Sequence, residues 1–110
     1  MQFLLTTEQY ERALEILNDA LKYNESFFIY KWIGQFHLAL NHTQQGISFL
    51  EKARKLTPND AQLLYNLTRA YYNTSQFKSG DDILVQFKKN APNASAIAEL
   101  EALRKSMSDR

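Results

Sequence analysis

The chain has two histidines, His37 and His42. Zinc sites on helices pair histidines four residues apart, a spacing that puts both rings on one face. A spacing of five does not, so no metal site is expected from them. Asp81 and Asp82 are adjacent. On a helix they diverge by about 100° and cannot converge on one substrate as an acid–base pair. They read instead as a solvated first helical turn. Zero cysteines exclude a disulfide framework, a thiolate metal site and a cysteine nucleophile. Three dispersed glycines cannot build a phosphate-cradling loop, and no serine has a base at a suggestive spacing. The expectation is a non-catalytic protein with no cofactor.

Charge narrows the partners. Thirteen basic residues against twelve acidic ones leave a formal net charge of +1, without the basic excess of nucleic-acid binders. The longest apolar runs are a few residues, too short to insert in a membrane. Met1 to Glu8 lacks the basic start and long apolar run of a signal peptide. The location is left open: cytoplasmic if the chain is complete, periplasmic or other if it is a piece of an exported protein. Five of the eight asparagines, Asn24, Asn41, Asn66, Asn73 and Asn93, begin Asn-x-Ser/Thr triplets. Most lie where turn and cap residues are favoured anyway, and they are read as such. The composition, 45% hydrophobic and 23% charged, is that of a folded chain.

The elements that must position any site are set by a repeat. Pro58 and Pro92 are 34 residues apart, and so are Gly46 and Gly80. The same shift lays Ile33 on Leu67, Leu50 on Leu84 and Asn59 on Asn93. An internal period of this size means stacked supersecondary units. Inside each period the apolar residues step by three and four: Tyr10, Ala13, Leu14, Leu17 and Leu21, then Gly46, Phe49, Leu50 and Ala53, then Phe77, Gly80, Leu84 and Phe87. Residues 28–40 and 61–72 also read as helices. Short polar breaks at Asn24–Ser26, Asn41–Thr43, Thr57–Asp60, Asn73–Ser75 and Asn90–Asn93 separate them, several supplying N-caps. The prediction is all-α, about seven helical segments counting a stub at the start, joined as antiparallel hairpins.

These residues resemble the tetratricopeptide repeat (TPR) family, over about residues 8 to 94. In the unit 61–94, Leu64, Leu67, Tyr71, Gly80, Leu84 and Pro92 stand where the family has its characteristic residues. Thr68 replaces the usual glycine and Phe87 a small residue. In the unit 27–60, Tyr30, Ile33, Gly34, Gly46, Leu50, Ala53 and Pro58 fit, and His37 stands where tyrosine is usual. Residues 1–26 look like a partial leading repeat, the end of one helix and all of the next. Residues 95–110 look like a capping helix with acids early and bases late, an order that suits the helix dipole. The resemblance implies a superhelix of antiparallel helix pairs closed by that cap.

It also implies a concave groove lined by the first helix of each unit. The matching positions are Phe28, Lys31, Trp32, Gln35, Leu38 and Ala39, then Gln62, Tyr65, Asn66, Arg69, Tyr72 and Asn73. Aromatic side chains there offer contact area, amides offer main-chain bonds and cations offer charge pairing, a set suited to a peptide or helix of a protein partner. The clamp with which chaperone adaptors of this family hold a C-terminal carboxylate is matched at Lys31 and Asn66. Gln35 departs from it, and Ala96 and Leu100 cannot grip a carboxylate, so that ligand is not expected. The competing expectation is structural. The apolar start, Phe3 to Leu5, and the face of the first full helix lack cover, which points to a homodimer or to continuation of a longer array through this end.

Overall fold

The computed structural model describes residues 7–91 and 95–109, with only the backbone of Thr7. The helices are α1 (Thr7–Leu21), α2 (Phe27–Ala39), α3 (Thr43–Leu56), α4 (Ala61–Asn73), α5 (Phe77–Asn90) and α6 (Ala96–Ser108). No strand occurs among the described residues. The all-α expectation and the polar breaks between helices correspond to these elements. The stub at Met1–Leu5 and the cap expected at Asn93 lie outside the described residues. Among the described residues no helix is long and apolar enough to cross a membrane.

The chain divides into two compact units, Met1–Leu56 and Thr57–Arg110. In the first, α2 and α3 form a hairpin and α1 packs on α2. In the second, α4 and α5 form a hairpin, and α6 packs chiefly on α4. Each hairpin begins with a side-chain cap. The Phe28 amide donates to Ser26 Oγ at 3.2 Å, and the Leu63 amide donates to Asp60 Oδ2 at 2.9 Å. Each cap satisfies an amide that the first turn leaves orphaned.

The two hairpins also turn alike. Asn41, φ 64°, and Ser75, φ 60°, are the left-handed residues among those described, and they lie 34 positions apart. After each, the chain folds back on its own helix. The His42 amide donates to the His37 carbonyl at 2.8 Å, and the Gln76 amide donates to the Tyr71 carbonyl at 2.9 Å. This is the six-to-one bond of a Schellman closure, which satisfies a terminal carbonyl and reverses the chain.

Close backbone approach explains two of the glycines. A Cβ on Gly34 would meet Leu50 Cγ at 2.7 Å and the Gly46 carbonyl oxygen at 3.0 Å. A Cβ on Gly46 would meet Leu38 Cδ2 at 2.7 Å and the Gly34 oxygen at 3.0 Å. The helices α2 and α3 thus touch backbone to backbone. In the second hairpin the residue matching Gly34 is Thr68. It is fully buried, and its hydroxyl donates to the Leu64 carbonyl at 2.8 Å, so its polar atom is satisfied within α4. The cores are aliphatic around these contacts: Leu14, Ile33, Ile47 and Leu50 in the first unit, Leu63, Leu64, Leu67, Ile83, Leu84 and Leu100 in the second.

Candidate partner-binding face

Phe28 and Trp32 lie one helical turn apart on α2, and both are exposed, 65% and 47%. Isolated apolar residues on a surface need no explanation, but two large aromatics side by side leave a broad apolar area in water. Their positions are supported from below. Trp32 packs against Phe36 with ring centroids 5.8 Å apart, and Phe36 packs against Tyr10 of α1 at 5.4 Å. Phe28 makes an edge contact with Phe27 at 5.2 Å. A held aromatic loses little conformational entropy when a partner covers it. Gln35, one turn further along α2, is half-buried, and Ala39 is exposed at the end of the helix.

Two other α2 residues expected in a groove are committed elsewhere. Lys31 is 92% removed from solvent by its 8% exposure, and its ammonium lies 5.6 Å from the Phe27 ring centre. Leu38 lies against Gly46 in the hairpin contact. Neither is an open wall for an incoming ligand, because each fills space that the fold itself needs.

On α4 the expected groove residues divide in the same way. Gln62, Arg69 and Asn73 are exposed, and Asn66 is half-buried. The Tyr65 hydroxyl donates to Glu99 of α6, and its ring lies 6.3 Å from Phe87. That bond to a carboxylate, with burial, holds the Tyr65 phenol above its ordinary pKa, and nearby Arg69 opposes the shift. Tyr72 has no exposed surface. Its ring covers Gly80, where a Cβ would meet Cε1 at 2.5 Å, as Leu38 covers Gly46 in the first hairpin. Tyr72 therefore belongs to the packing of α4 on α5 and is corrected as a contact residue for a partner.

Asp81 also differs from its reading as a solvated helix start. It accepts from the Tyr72 hydroxyl at 2.5 Å and from Arg104 Nε and Nη2 at 2.8 and 3.0 Å. The Arg104 hydrogen bonds, with the Tyr72 donation and the surrounding positive charge, outweigh partial burial and hold its carboxyl below the usual range. Arg104 also lies over the Phe77 ring, 5.3 Å from its centre. Beside this cluster Lys88 and Glu101 pair at 3.3 Å, and Leu84 and Val85 complete a cleft of about 310 Å³. Its charged groups already pair with one another across α5 and α6, so it reads as the seam that seats α6. Sequence reasoning missed it because the partners lie 9 and 23 residues apart, outside any local pattern. The signal that existed was the period itself, since Tyr65 and Glu99 are separated by one repeat length, 34 residues.

The histidines differ most from the expectation. The left-handed turn at Asn41 brings His42 back beside His37, with Nδ1 to Nδ1 at 3.2 Å. His37 stacks on Phe49 of α3, centroids 5.6 Å apart and planes 13° apart. Burial, with the neighbouring imidazole, holds His37 below its ordinary pKa. Among the described residues no group of three or more histidine, aspartate or glutamate side chains gathers as a metal cluster.

No protein-family model matches this chain, and no curated protein matches it.

Proposed function

We propose that the chain is a TPR-type interaction module without catalytic activity, which holds a peptide or helix of a protein partner against α2. The observation that carries the reading is the exposed pair Phe28 and Trp32, braced by Phe36 and Tyr10. The TPR reading is supported by the 34-residue period and by the recurrence of one turn geometry at Asn41 and Ser75. Aromatic anchors of this kind carry a large share of the energy at protein interfaces. Gln35, half-buried, stands one turn along to bond a partner's main chain.

The test is an affinity capture from a lysate of the source organism with the parent chain, Trp32→Ala and Phe28→Ala side by side. Circular dichroism establishes that each is folded. The reading requires a protein held by the parent and lost by both variants, and a direct binding measurement with that protein then gives the cost. Equal capture by all three would sink it.

A second reading, a self-associating or structural segment of a longer array, is supported by exposed apolar residues of the first unit outside α2. Ile16 on α1 is 70% exposed, and Tyr23 just beyond it is 90% exposed. Light scattering across a concentration series, with Ile16→Glu as the control, separates the two. Association abolished by Ile16→Glu and untouched by Trp32→Ala favours the structural reading.

A further inference from the structure

The two imidazoles of the chain meet where α2 turns into α3, and we propose that His37 and His42 form an acid-sensitive latch on that turn, closed while the pair carries at most one added proton and opened by the second. The helix stops here, Asn41 takes φ 64°, and the His42 amide bonds back to the His37 carbonyl at 2.8 Å. The backbone thus brings the rings together, and their Nδ1 atoms lie 3.2 Å apart, hydrogen-bonded to each other. A neutral imidazole has one N–H and one lone pair. One Nδ1 therefore donates and the other accepts, which ties the residue before α3 to the last turn of α2.

The bond survives one added proton and not two. A singly charged pair still has one Nδ1–H and one Nδ1 lone pair, and a charged donor strengthens such a bond. In a doubly charged pair both Nδ1 atoms carry hydrogen. No acceptor is left, and two like charges face each other at a distance set by the turn. The surroundings offer no relief. His37 stacks on Phe49 of α3, and the ammonium over that ring, 4.9 Å from its centre, belongs to Lys52 and is also positive. Further along α3, Arg54 is paired with Glu51. On α2, Tyr30 also lies against Phe49 and donates to Glu25, while α1 brings Tyr10 against Phe36. Among the described residues no carboxylate bonds to either ring. Burial, and then the charge of His42, hold His37 below its ordinary 6.5, so the folded chain binds fewer protons here than the unfolded one. The latch therefore contributes fully above 6.5, and its contribution is lost as pH falls from there through the lower folded value. Once open, it releases His42 from the end of α2 and leaves the left-handed turn to its backbone bonds.

The experiment follows the imidazoles by NMR in the isotope-labelled chain and in His42→Ala, from about pH 8 to about pH 4.5, with melting curves over the same range. At the upper end one ring of the parent is in the Nδ1–H form. The His37 midpoint is higher in His42→Ala than in the parent, because the neighbouring charge is gone, and it stays below 6.5 because burial remains. The melting temperature of the parent falls more steeply below pH 6.5 than that of His42→Ala. The Asp81 carboxyl, held below 3.8, titrates outside this range in both chains. His42 is exposed in the turn, so its replacement leaves the fold intact, and circular dichroism checks this. Both parent rings in the Nε2–H form, one His37 midpoint shared by the two chains, or parallel melting curves would each overturn the proposal.

Discussion

The Tyr72 hydroxyl donates to the Asp81 carboxylate across 2.5 Å, tying the end of α4 to the start of α5 from a ring with no exposed surface. Asp81 simultaneously accepts two bonds from Arg104, so one carboxylate links three helices. The phenol's pKa is raised, by burial first and then by the bond to Asp81, so the proton it donates stays in place.

Tyr72→Phe keeps the ring over Gly80 and removes the donated proton. A hydrogen bond to a half-exposed charged acceptor stabilises by about 1 kcal/mol. Urea unfolding should show a loss of that size, with an unchanged slope. A variant as stable as the parent would mean that the bond contributes nothing.

Acid should weaken the seat of α6. The Asp81 carboxyl has its pKa depressed below 3.8 in the folded chain, mainly by the Arg104 hydrogen bonds. Its contribution is therefore fully present above the unfolded value and disappears as pH falls through the lower folded value. Both side chains are about 40% exposed, so solvent screening limits the effect to about 0.5 kcal/mol. Melting curves from pH 6 to pH 2.5 should show a steeper acid loss in the parent than in Asp81→Asn. Parallel curves would contradict this.

Gly34→Ala should destabilise the first hairpin although alanine is the better helix former. The propensity gain is about 1 kcal/mol. Against it stands a Cβ at 2.7 Å from Leu50 Cγ and 3.0 Å from the Gly46 oxygen. Backbone cannot yield as a flexible side chain can, so overpacking of about 1–3 kcal/mol prevails. A rise in melting temperature would show that α2 and α3 separate without cost.

Ser75→Gly should stabilise the second hairpin. Ser75 sits at φ 60°, where a Cβ is disfavoured and glycine is at ease. The gain is about 0.5–1 kcal/mol, read as a higher melting temperature. Asn41→Gly should gain less, because asparagine tolerates this conformation better than serine.

Trp32→Ala should separate binding from folding. The ring is 47% exposed, so its loss should leave the melting temperature within a few degrees of the parent. Partner binding should weaken by about 2 kcal/mol. A large fall in stability instead would make Trp32 a core residue of the α1–α2 contact.

The sequence by itself determined the helices, the polar breaks between them and the recurrence of one unit. These follow from local periodicity, capping side chains and a 34-residue spacing, all legible along the chain. It also pointed to the exposed aromatics of α2, though not to which members of that helix stay open. Only the tertiary structure decided that Lys31 is buried and Leu38 is packed on Gly46 while Phe28 and Trp32 stay open. The same holds for Tyr72, whose ring is taken up by the close approach of α5 at Gly80. Asp81 looked solvated because its partners, Tyr72 and Arg104, come from other helices. His37 and His42 looked divergent because helical spacing was applied across a turn. One left-handed residue between them reverses the chain, and a reversal of direction changes which side chains meet without altering their spacing in the sequence.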